Sequence, residues 1–149
     1  MTAIHPASYS AGMTETAFKG GCLCGALRWE ADSAPTFMGV CCCADCRKAS
    51  GSGFIPFMGF PASALTITGP ARQYRSRAFR GGEATRNSCP NCGGLVFGGE
   101  HGLHDSHTIY AGSLDDPGLF KPAMALFGRD KPDWVVLPEG VTVFETMPD

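Results

Sequence analysis

The segment Gly20-Gly21-Cys22-Leu23-Cys24-Gly25 sets two thiols two residues apart between glycines, and Cys89-Pro90-Asn91-Cys92-Gly93-Gly94 sets two more three residues apart on a tight turn. With Cys41-Cys42-Cys43-Ala44-Asp45-Cys46 between them, these segments hold all eight cysteines of the chain. Thiols clustered this closely favour a metal over disulfides, because three consecutive cysteines do not easily each reach a separate partner in unstrained geometry. The Cys89/Cys92 pair reads as a knuckle, half of a tetrahedral zinc site, with glycines that let backbone N–H groups approach sulfur. Residues 20–31 read as one extended strand, in which Cys22 and Cys24 face the same way and supply the other half. Four thiolates about 2.3 Å from one zinc make a closed site of the structural kind.

The central cluster differs. By the same alternation Cys41 and Cys43 share a face, Cys46 follows Cys43 at knuckle spacing, and Cys42 points to the opposite side. That leaves three convergent thiolates. The fourth position is either open, as at a catalytic or substrate-binding zinc, or closed by Cys42 or a distant histidine. Two zinc ions per chain are expected, one on Cys22, Cys24, Cys89 and Cys92 and one on Cys41, Cys43 and Cys46. Such sites carry net negative charge, which nearby cations would help offset: Arg47 and Lys48 follow Cys46 directly, and Arg28 lies just after Cys24.

Outward from the cysteines, 20 glycines and 11 prolines in 149 residues favour short strands and turns, and 44% apolar residues suffice for a core. The expected fold class is mainly β, with little helix. Strands are predicted over residues 54–60, 65–68, 73–80, 83–88, 95–97, 108–111, 124–127 and 141–144. Residues 44–49 read as one helical turn stopped at Ser50-Gly51-Ser52-Gly53, and Pro56 suits an edge or a bulge. Residues 1–17 are unpatterned and read as a mobile tail before a single domain at 18–149.

A formal charge of −2 carries no signature for nucleic acid or an anionic membrane. No run approaches the ~20 apolar residues of a membrane span. The first residues lack the basic and apolar regions of a secretory signal, so a cytoplasmic location is expected. His101, His104 and His107 are either candidates for a missing metal ligand or solvated loop residues. Arg72, Arg75, Arg77, Arg80 and Arg86 either hold substrate carboxylates or form a solvated strand face.

The order of these motifs is specific. Residues 20–27 (GGCLCGAL), then Cys41-x-Cys43-x-x-Cys46-Arg47-Lys48-Ala49-Ser50-Gly51-Ser52, then Cys89-Pro90-x-Cys92-Gly93 resemble the glutathione-dependent formaldehyde-activating enzyme family, also called the centromere protein V/GFA domain. Residues 111–117 (AGSLDDP) and Trp134 look like its C-terminal signature. The resemblance implies a β-tent fold of short antiparallel sheets around zinc knuckles. It also implies a structural zinc on Cys22, Cys24, Cys89 and Cys92, and a catalytic zinc on Cys41, Cys43 and Cys46. The activity implied is that of a carbon–sulfur lyase, condensing a small thiol such as glutathione with formaldehyde. The alternative is a non-catalytic zinc-stabilised module that binds a protein or nucleic acid. Two positions depart from the family pattern: Cys42 and Ala125 stand where relatives often carry His, and Cys42 is expected on the outer face.

Overall fold

A computed structural model describes residues 18–149, so the tail assigned to residues 1–17 lies outside the described residues. Its strands are β1 (Lys19–Gly21), β2 (Arg28–Ala31), β3 (Phe37–Cys41), β4 (Ile55–Pro61), β5 (Leu65–Thr68), β6 (Arg72–Arg77), β7 (Glu83–Ser88), β8 (Leu95–Gly98), β9 (Ser106–Tyr110), β10 (Met124–Leu126) and β11 (Thr142–Val143). One α-helix, α1 (Ala44–Ser50), follows β3. The mainly-β expectation holds. The strands form a three-stranded sheet, β1-β2-β5, and an eight-stranded sheet ordered β11-β10-β3-β4-β9-β8-β7-β6.

The two sheets bury one core between them. Strand β2 alternates, with Trp29 and Ala31 inward and Glu30 outward, as expected of a half-buried antiparallel strand. Trp29 and Leu27 pack with Met58, Phe60, Val96, Phe97 and Ile109 of the large sheet. The Phe60 ring sits 6.0 Å from both Phe18 and Trp29, and the Trp29 indole N–H donates to Ser113 Oγ at 2.9 Å. Each of these large side chains contributes about 1.5–3 kcal/mol by leaving water. A smaller cluster of Phe57, Leu126 and Phe127 packs against Cys41 and Cys43 at the other end of the large sheet.

Several local expectations change in three dimensions. Residues 20–31 are not one strand: β1 and β2 are the arms of a hairpin, and its loop carries both cysteines. Gly25 at φ 83° lets that loop turn, because a side chain is strained there. Strand β3 was absent from the predicted strands, since Phe37-Met38-Gly39-Val40-Cys41 lacks alternation and its glycine weakens the pattern. Pro56 lies in an interior strand, paired with Val40. Pairing of β4 with β9 begins only at Phe57, so one side of Pro56 carries no ladder and its missing N–H costs little. Most pairs are antiparallel, yet β10 runs parallel to both β3 and β11.

The segment Ala111-Gly112-Ser113-Leu114-Asp115 braces the small sheet. Leu114 bridges to Gly20, and Arg28 forms a two-pronged ion pair with Asp115 at 3.0 and 2.5 Å. A Cβ on Gly20 would stand 1.9 Å from the Ser113 carbonyl oxygen, whereas one on Gly112 would meet nothing within 4 Å. Gly20→Ala is expected to destabilise the protein by about 1–3 kcal/mol through forced backbone movement. Gly112→Ala is expected to stay within about 0.5 kcal/mol of the parent. Urea denaturation of the two variants checks this.

Candidate metal centres and the adjoining cavity

Cys22 and Cys24 lie in the β1–β2 loop, Cys89 and Cys92 in the β7–β8 loop, and their four sulfurs lie within 4.8 Å of one another. Two sulfur–sulfur distances are 3.7 Å, Cys22 to Cys24 and Cys24 to Cys89. A tetrahedron with zinc–sulfur bonds of about 2.3 Å has edges of roughly 3.8 Å, so the donor set fits such an ion. The sulfurs converge through loop geometry rather than strand alternation. The Leu27 N–H donates to Cys22 Sγ at 3.2 Å, the Asn91 N–H to Cys89 Sγ at 3.4 Å, and the Asn91 side-chain amide to Cys24 Sγ at 3.3 Å. Burial raises the Cys22 thiol, but the Leu27 N–H and the neighbouring cysteines outweigh it and lower its pKa to about 6.

The second group is Cys41, Cys43 and Cys46, again within 4.8 Å of one another, and among the described residues no fourth Cys, His, Asp or Glu joins it. Cys41 ends β3, Cys43 caps α1, and Cys46 lies in its first turn, where its N–H donates to Cys43 Sγ at 3.3 Å. Helix capping therefore brings Cys43 and Cys46 together. Hydrogen bonds from Cys41 and Cys46 pull the Cys43 thiol far down, and the same sharing pushes Cys41 up. Repulsion between sulfurs this close disfavours ionising all three until a cation offsets their charge. Binding a metal here releases protons.

Cys42 faces away from the triad, as expected, but not to the outer face: it is fully buried. Its thiol is raised chiefly by burial. Arg47 is spent on two backbone carbonyls, those of Cys42 and Asp130, each at 3.0 Å. The cation beside the triad is Arg86, whose guanidinium points to Cys46 Sγ at 3.8 Å. Arg72, Arg75, Arg77 and Arg80 are exposed, as a solvated strand face requires. Arg86, from the neighbouring β7, turns inward. Its 40-residue separation from Cys46 hid that pairing from a linear reading.

A cavity of about 430 Å³ opens on Cys41 and Cys46. Arg86 and Tyr110 also line it, with Phe37, Ile55, Phe57, Leu126 and Met147 among its apolar residues and Glu83, Thr85, His104 and Thr108 among its polar ones. Burial raises the Tyr110 phenol and Arg86 partly offsets this, so the hydroxyl stays protonated. Gly98 makes room for it, since a Cβ there would stand 2.9 Å from the Tyr110 oxygen. Sequence reading passed over Tyr110. Its signal, an aromatic with a polar tip ending a strand, is too common to single out. Ala125 is fully buried and lines no part of this cavity, while its neighbour Leu126 does.

The sequence matches the glutathione-dependent formaldehyde-activating enzyme (GFA) family over residues 17–130. The chain belongs to that family. No curated protein matches it significantly. A Rhodobacter sphaeroides protein solved by structural genomics is similar at 20% identity and a TM-score of 0.49, covering 65% of this chain and 87% of its own. In this GFA-family chain no helix among the described residues is long and apolar enough to cross a membrane.

The three histidines differ in exposure, although the His101 and His107 rings lie 5.7 Å apart. His101 and His104 are exposed, and His104 lines the cavity mouth and accepts from the Glu100 N–H at 2.8 Å. His107 is buried against Phe97, ring centroids 5.6 Å apart, with Nδ1 facing the Gly98 carbonyl at 3.3 Å and Nε2 unpaired. Burial holds His107 below the ordinary histidine pKa. A base with a depressed folded pKa favours the unfolded chain once that chain protonates. Stability is therefore full above about pH 6.5 and falls as pH drops from there towards the folded value. His107→Phe is expected to flatten this part of the stability–pH curve, measured by denaturation at pH 7 and pH 5.

Proposed function

We propose that this chain is a zinc-dependent carbon–sulfur lyase of the glutathione-dependent formaldehyde-activating type, joining a small thiol to formaldehyde or a related aldehyde. One observation carries the reading: three convergent cysteines, with no fourth donor among the described residues, open onto a cavity. A purely structural site is closed, whereas an open position beside a cavity suits a ligand that comes and goes. In this reading Cys22, Cys24, Cys89 and Cys92 hold a structural zinc, and Cys41, Cys43 and Cys46 hold the catalytic one. Family membership supports the reaction class.

Zinc bound by the triad would lower the pKa of an incoming thiol and hold it as thiolate. The chain's own residues supply the rest. Arg86, beside Cys46, offsets the negative charge of the thiolates and presents N–H groups toward the cavity end where the carbonyl oxygen gathers charge. Tyr110, kept protonated by burial, offers a second donor to that oxygen. Phe57 and Leu126, both buried, place apolar surface beside the reacting atoms. In the condensation a carbon–sulfur bond forms, the carbonyl π pair moves to oxygen, and the proton given up by the thiol ends on that oxygen.

Two variants separate the sites. Structural zinc contributes on the order of 10 kcal/mol of folding free energy, comparable with a domain's whole stability. Cys89→Ser is therefore expected to unfold the protein or leave it insoluble. Cys46→Ser is expected to keep the circular dichroism spectrum and melting temperature close to the parent, lose one of two zincs by elemental analysis, and abolish glutathione-dependent loss of free formaldehyde. A well-folded Cys89→Ser protein would overturn the structural assignment, and a fully active Cys46→Ser protein the catalytic one.

A further inference from the structure

Arg86 lines three cavities, two of which also border the cysteine triad. One is the chamber of about 430 Å³ on the Cys41 and Cys46 side, and the other, of about 460 Å³, lies on the Cys43 side. Both linings are mainly apolar, but their charged residues differ. Four arginines, Arg77, Arg80, Arg86 and Arg129, line the second, with Asp45 and Asp130. In the first, the buried side chains of the wall are Ile55, Phe57, Leu126 and Thr85. Phe37 adds an edge-on ring 5.9 Å from Phe57. Phe37 also covers Gly59, where a Cβ would come within 2.1 Å of it. The ring is thus seated on the sheet rather than swinging free. The chamber's polar lining is Arg86, Tyr110 and Thr108, all half-buried, with Thr85 buried and Glu83 and His104 exposed.

Formaldehyde occupies a space on the order of one or two waters, roughly 30–60 Å³. The chamber is several times larger and falls in the range of sites that enclose a whole small molecule. Water held between Phe37, Phe57 and Leu126 finds no partners there, so an occupant with an apolar body gains by displacing it. A carboxylate of a glutathione-like thiol placed against Ile55, Phe57 and Leu126 would lose hydration without a donor in return. The arginine-lined cavity offers such donors.

We propose that the chamber takes the side chain of an apolar aldehyde, aliphatic or aryl, larger than formaldehyde, while its carbonyl lies at the Arg86 and Tyr110 end. This rests on the thiol–aldehyde reading above and names its electrophile class. The bond changes are unaltered: sulfur adds to the carbonyl carbon, the π pair goes to oxygen, and the thiol proton follows it. No oxidant or reductant is needed.

The test compares benzaldehyde and hexanal with formaldehyde at fixed glutathione on the zinc-loaded protein, following hemithioacetal formation. Binding of unreactive benzyl alcohol is measured in parallel by calorimetry. The expected result is a kcat/KM for the larger aldehydes at least about tenfold above that for formaldehyde. Micromolar to millimolar benzyl alcohol binding is also expected, and Phe37→Ser should weaken it and lower the apolar-to-formaldehyde ratio about fivefold or more. A ratio favouring formaldehyde, with glutathione-dependent turnover intact, overturns the inference and leaves the proposed function standing. Benzyl alcohol binding that is sensitive to Phe37→Ser, without turnover of any aldehyde, keeps the chamber as an apolar-ligand site and overturns the reaction. Neither binding nor turnover overturns both.

Discussion

The convergence of two hairpin loops on one point organises this protein. The β1–β2 loop brings Cys22 and Cys24, the β7–β8 loop brings Cys89 and Cys92, and Cys24 meets Cys89 at 3.7 Å across 65 residues of chain. Closing so long a loop is entropically costly, and the small sheet has only three short strands with which to offset that cost. The core between the sheets helps. Cys22 and Cys89 are themselves part of it, packed with Trp29, Phe60 and Phe97. The cysteine cluster and the core are therefore one structure, and neither the position of β1 nor that of β7 is independent of the other.

At the far side of the large sheet a second cysteine cluster is built on different terms. The first set sits in two loops held by N–H groups, whereas Cys41, Cys43 and Cys46 come from one strand end and the helix that follows it. A single local segment thus places all three, and the sheet supplies only the walls around them. Arg86 from β7 and Tyr110 from β9 reach the triad from strands on the other side of β4. Phe127, packed against this cluster, adopts a left-handed backbone at φ 57°. A bulky residue there costs about 1–2 kcal/mol. Its backbone N–H bonds to the Thr146 carbonyl at 2.9 Å, and its ring meets Phe79 edge-on at 5.0 Å. Strain of this kind persists where the surroundings over-determine a conformation, and here it borders the triad and the arginine-lined cavity.

Much of the site was legible in the chain. Thiols that share an ion must lie close in space, and short spacing with glycines beside it achieves that locally, so the membership of both clusters could be read directly. The route was not. Cys22 and Cys24 converge on a hairpin loop rather than along a strand, because the Leu27 N–H bonds back to Cys22 Sγ and Gly25 turns the chain. Cys42 was read as an outer-face group and is buried, because β3 lies inside the large sheet.

What the sequence by itself determined is therefore which cysteines group and that the fold is mainly β, while it left open whether a fourth donor closes the second group. Local spacing and residue type carry those facts. Only the tertiary structure decided what stands around the open cluster. Arg86 looked like one of five similar arginines until strand pairing turned it inward to Cys46 and left its neighbours in water. Tyr110, Phe37, Phe57 and Leu126 come from four different strands, and no spacing along the chain relates them. Their meeting depends on sheet order and register, which are set by the whole set of strand pairings at once.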